Sequence, residues 1–138
     1  MDISPEFKKI LVEELTYSLK MMKNSKTLDE KLFYFSGLFG VLPRVFNIKF
    51  DPQLVFMNII ITSAYSAILE RLNAIKGGNL VIEFPEGFFD KLADASEDLI
   101  EKIKNNEDTY KALEKIGVLT FLTTGNGYYL FQKGSFKI

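Results

Sequence analysis

The sequence predicts a mixed α/β (α+β) fold: a small sheet packed by several helices, with a C-terminal β-hairpin, in one domain over residues 1–138. Three observations predict it. Leu54 to Ile61 is a continuous apolar run rich in β-branched residues, as in a strand buried on both faces. Leu80 to Phe84 is a second short apolar run stopped by Pro85, and the helical pattern between the two has the length of a right-handed parallel crossover. Gly125-Asn126-Gly127 stands between Val118–Thr124 and Tyr128–Gln132, the pattern of a tight turn joining antiparallel strands.

Taken in order, Ser4 followed by Pro5 predicts a helix start, because a Ser oxygen can accept from an orphan amide and Pro lacks the amide that its position leaves unbonded. Phe7, Ile10, Leu11, Leu15, Leu19 and Met22 then recur at helical spacing and predict one inward face. Lys20, Lys23, Asn24 and Lys26 predict a basic turn. Thr27 and Glu30 have the spacing of a capping box, so a second helix is expected from Leu28, carrying Leu32, Phe33, Phe35, Leu38 and Phe39 until Gly37 or Gly40 loosens or ends it. Val41 to Asn47 reads as a short helix with Pro43 in its first turn.

Asp51-Pro52 reads as a turn before the first strand. Thr62 or Ser63 can cap the helix after it, in which Ala64, Ala67, Ile68, Leu72 and Ile75 share a face and Gly77-Gly78 marks the end. After the second strand, Phe88, Phe89 and Leu92 lead into a helical region that Ser96 can restart, with Leu99, Ile100 and Ile103 inward and Asn105-Asn106 as its break. A last helix, Glu107 to Ile116, is expected to close on a left-handed Gly117.

Composition narrows the chemistry. The chain contains no His, Cys or Trp. The commonest general base, thiol nucleophiles and soft metal ligands are therefore excluded, leaving Asp, Glu, Lys, Tyr, Ser and Thr for any catalysis and oxygen ligands for any metal. Zero Cys together with the polar stretch Met1 to Lys9 predicts a cytoplasmic chain without a signal peptide. The apolar stretches Leu32–Phe46 and Leu54–Ile61 read as too short to span a bilayer, which needs about 20 apolar residues.

Net charge is −1, but the signs are unevenly spread. Lys8 to Lys49 holds eight basic residues against four acids, and Glu83 to Asp108 holds nine acids against Lys91, Lys102 and Lys104. A basic and an acidic face are possible, with an ordinary solvated surface as the simpler reading. Asp29/Glu30, Glu97/Asp98 and Glu107/Asp108 read as helix-start acids, not catalytic pairs. Gly77-Gly78 lacks the Lys-Ser/Thr of a phosphate loop. Lys20, Lys23, Lys26 and Lys31, with Arg44 and Lys49, lie near Tyr17, Tyr34 and Phe39 and form the candidate RNA-binding set, because cations hold phosphates and aromatic rings stack on unpaired bases. Ordinary surface lysines are the competing reading.

Glu30-Lys31-Leu32-Phe33-Tyr34-Phe35-Ser36-Gly37 resembles the glutamate, aliphatic run, Ser-Gly segment of the small KEOPS-complex subunit family, which includes the human PRPK-binding protein. Val41–Ile48, Leu54–Ile61, the Ala64–Ile75 helix with Gly77-Gly78, and the segment from Tyr110 to Leu119 follow in the order of an archaeal-type member. The resemblance implies a non-catalytic subunit without cofactor or metal. Such a subunit binds the small kinase/ATPase of the complex and helps bring in the tRNA 3′ CCA end during threonylcarbamoyl-adenosine formation. Two other readings remain open. One is a structural or interaction subunit of another nucleoprotein complex, self-associating through Tyr128, Tyr129 and Phe131 of the C-terminal hairpin. The other is a magnesium enzyme built on Asp, Glu and Lys.

Overall fold

Caps written into the sequence set the frame. In the computed structural model, which describes residues 3–40, 51–78 and 84–121, Ser4 Oγ accepts from Phe7 N at 3.3 Å and opens α1 (Pro5–Asn24). Ser25 ends it, donating its hydroxyl to Met21 O and its amide to Met22 O. Thr27 Oγ1 accepts from Glu30 N and opens α2 (Leu28–Gly40). Asp51 caps α3 (Pro52–Lys76), its carboxylate accepting from Gln53 N at 2.9 Å and Leu54 N at 3.2 Å. Gly78, with φ +72°, donates to Ile75 O and stops it. α4 spans Phe88–Lys104 and α5 spans Tyr110–Phe121.

The turn between α4 and α5 has an identifiable geometry. Glu107 N bonds to Lys102 O and Asn106 N to Ile103 O, with Asn106 left-handed at φ 56°. That is the Schellman pattern, which satisfies the last carbonyls of a helix and needs a residue that tolerates positive φ. Asn105-Asn106 therefore breaks the helix as expected.

Every regular element among the described residues is a helix, with no strand among them. This corrects the mixed α/β (α+β) expectation and its small sheet. Leu54–Ile61 lies inside α3, because Asp51-Pro52 is the cap and first position of a helix and not a free turn. Leu54, Met57, Ile61, Ala64, Ile68 and Leu72 are all buried on one stripe, so tertiary burial supports a helix where β-branched composition suggested a strand. Thr62 and Ser63 fall mid-helix and cap nothing. The predicted strand Val118–Thr124 is helical through Phe121, and α5 runs through Gly117 because Ile116, Leu119 and Thr120 continue its buried face. Phe84 is neither strand nor helix. The rest of Leu80–Phe84, the Val41–Asn47 helix and the hairpin around Gly125-Asn126-Gly127 lie outside the described residues.

The five helices close on one another. α1 packs on α2 and α4, α2 on α3, α3 on α5, and α5 on α4. Leu11 and Leu15 from α1, Phe35 from α2, Ile61 from α3, Leu92 from α4 and Leu113 from α5 meet in the enclosed core, each fully buried. Burying such a side chain stabilises by about 1.5–3 kcal/mol. Ile10, expected inward, is 48 % exposed. Gly37 lets α1 and α2 approach: a Cβ there would collide with Ser18 Oγ. α3 is long and apolar enough to cross a membrane, with mean hydropathy 1.4 over its most apolar 18 residues. Only 28 % of that stretch is buried, and it extends past the Leu54–Ile61 run that reads from sequence as too short to span a bilayer.

Candidate binding cleft

A turn rich in Phe builds a concavity among the described residues. Phe88 N bonds to Pro85 O at 3.0 Å and Gly87 is left-handed at φ +72°, a conformation open to Gly at little cost. The chain therefore reverses sharply into α4, placing Phe84, Phe88 and Phe89 together with ring centroids 5.2 Å apart in each pair. Arg71, buried on α3, lays its guanidinium 5.6 Å from the centre of the Phe84 ring. Such a contact favours the cation by the ring's negative face.

The cleft beside these rings has a volume of about 450 Å³ and is lined by Leu28, Lys31, Ile75, Phe84, Pro85, Gly87, Phe88, Phe89 and Asp90. A smaller lobe of about 240 Å³ adjoins it, lined by Met22, Lys23, Ala93 and Asp94 and sharing Lys31, Phe89 and Asp90. Two ion pairs border the lobes. Lys76 Nζ reaches Asp29 at 2.9 Å and ties the end of α3 to the start of α2, while Lys23 Nζ reaches Glu97 at 2.6 Å and ties α1 to α4. Both pairs are exposed, so each stabilises by no more than about 1 kcal/mol.

The basic set proposed from the sequence divides. Lys20 is exposed on α1 and Lys26 in the turn after it. Lys23 is held by Glu97, and Lys31 donates to Met22 O at 3.3 Å, where a cation satisfies a carbonyl at the end of α1. Lys23 and Lys31 therefore line the cleft. Arg44 and Lys49 lie outside the described residues. Sequence reasoning missed the cleft itself. Its signal was the cluster Phe84-Pro85-Glu86-Gly87-Phe88-Phe89, in which turn residues sit between aromatics.

Among the described lining residues the ionisable groups are lysines and aspartates, and no Ser, Thr or Tyr hydroxyl is present. Among the described residues no group of three or more Asp or Glu is placed to hold a metal ion. The arrangement is suited to burying an apolar group against aromatic walls with charges at the mouth. Comparison with known families, with curated proteins and with solved structures yields no significant match to this chain.

Proposed function

We propose that the chain is a non-catalytic binding subunit that recognises another protein through the cleft between α2, α3 and α4. The observation that carries this reading is the continuous concavity walled by Phe84, Phe88 and Phe89. Aromatic pockets with a charged margin are what interface anchors from a partner fill, because the centre is desolvated while the rim stays wet. Leu28, 41 % exposed at the mouth, extends the apolar surface outward.

A narrower proposal is a KEOPS-type subunit that binds a small kinase/ATPase and the tRNA 3′ end. The segments Leu54–Ile61 and Ala64–Ile75 both belong to α3, and the adaptor reading stands on the cleft independently of that likeness. Phosphate contact through Lys20, Lys23, Lys26 and Lys31 would also draw on two ammoniums that already hold the bundle together.

Cross-linking of the full chain in the cells that make it, read by mass spectrometry, tests the adaptor reading. A recurring partner should link to Lys31, Lys76 and Lys91 around the cleft, and Phe89→Ala should remove those links. Links confined to Lys111 and Lys115 on α5, or none to another protein, would end it. The start of α5 sits at the other end of α3, where Tyr110 meets Phe56 with ring centroids 5.5 Å apart.

A further inference from the structure

Four of the nine acids between Glu83 and Asp108 share one face of α4. Asp90, Asp94, Asp98 and Glu101 are all exposed and recur at helical spacing along α4. They cover about 16 Å at 1.5 Å per residue, three turns of helix. The helix dipole explains Asp90 in the first turn, but not Asp98 or Glu101, since acids toward a helix C-terminus are unfavourable. The stripe begins inside the cleft: Asp90 lines both lobes beside Phe89, and Asp94 lines the smaller. Cations nearby are turned to internal partners, Lys23 to Glu97, Lys31 to Met22 O and Lys102 to Glu107, although Lys102 also feels the charge of Asp98. An apolar socket thus continues directly into a row of carboxylates.

We propose that this surface receives a basic amphipathic segment of the partner protein. An aromatic or branched aliphatic anchor enters beside Phe89, and Lys or Arg side chains lie along Asp90, Asp94, Asp98 and Glu101. The proposal rests on the adaptor reading and names the chemistry of its partner. Opposite charge along the stripe steers and orients the segment, the anchor supplies the buried area, and polyanions are repelled from the same face.

The test titrates the purified full chain, by fluorescence anisotropy, with three labelled peptides of equal length. The first is an amphipathic helix with Leu and Phe on one face and Lys on the other, the second has Glu in place of Lys, and the third keeps Lys but carries Ser in place of the apolar residues. The first peptide should bind, and each of the other two should bind at least about tenfold more weakly, since both charge and anchor are needed. Asp94→Lys combined with Asp98→Lys should weaken the first peptide about tenfold while leaving the circular dichroism unchanged, because both positions are exposed. Phe89→Ala should also weaken the first peptide about tenfold, with the variant's melting temperature reporting the ring packing lost.

Equal binding of the Lys and Glu peptides, or indifference to the double charge reversal, overturns the basic-partner inference. The adaptor reading survives that result if Phe89→Ala still abolishes binding. Equal binding of the Ser-substituted peptide shows charge attraction alone and overturns the socket. A single-stranded oligonucleotide that displaces the Lys peptide assigns the face to nucleic acid and overturns the inference. Failure of all three peptides, with no cross-links at the cleft, ends both readings.

Discussion

Asp51 shows how much one residue can decide. Its buried carboxylate accepts from two amides at the start of α3, the helix whose inner stripe lines the core. Asp51→Ala should cost about 1–2 kcal/mol, read as a lower melting temperature, and Asp51→Asn should retain most of the stability because its side-chain oxygen can accept the same bonds. Lys102 is informative in a different way. Its Nζ lies 2.9 Å from Glu107 Oε2, and the hydrogen bond and charge of Glu107, with a smaller contribution from Asp98, raise its pKa above the ordinary 10.5. A raised lysine pKa means the folded state holds the proton more tightly. The pair's contribution is therefore fully present below the unfolded pKa and is lost as pH rises through the folded one. A side-chain NMR titration should place Lys102 above a free lysine, and Glu107→Gln should bring it back down.

At the scale of elements, α5 offers the sharpest check. Gly117 reads from sequence as a left-handed helix end, yet it sits inside a helix and a Cβ there would meet nothing within 4 Å. Gly117→Ala should therefore stabilise by about 0.5–1 kcal/mol, measured by denaturant titration, because Ala loses less backbone freedom in a helix. A destabilised variant would show that Gly117 holds positive φ and that the helix ends there. Some helix ends were legible in the sequence: Ser4-Pro5, Thr27 with Glu30, Gly77-Gly78 and Asn105-Asn106 act where their residue types predict, whereas Asp51-Pro52, a full cap, reads as a turn. Leu54–Ile61 was misread because a helix with apolar residues on more than one face has no alternation to betray it. Ile59, 57 % exposed, keeps the run continuous without serving the core.

For the whole molecule, the expectation that separates the two architectures is spectroscopic. Far-UV circular dichroism of the full chain should be dominated by helix. A sheet-dominated spectrum would contradict a core formed by five helices in mutual contact. The same closure explains why the candidate site was only partly legible. Its rings come from one short stretch of sequence, but the site's other walls, Leu28, Lys31 and Ile75, belong to two other helices.

The sequence by itself determined several helix ends and the residue chemistry on offer, since capping hydrogen bonds join residues a few positions apart and the absence of His and Cys needs no fold to be read, but not the start of α3 at Asp51 or the run of α5 through Gly117. Tertiary structure alone decided whether the apolar runs became strand or helix, and which charges stayed at the surface unused by the bundle. Both outcomes depend on partners remote in the chain: Lys23 meets Glu97 74 positions away, and the core stripe of α3 is buried by residues of other helices. Long-range burial outweighs local propensity because each buried side chain contributes about 1.5–3 kcal/mol, against at most about 0.7 kcal/mol per ordinary residue from helix preference.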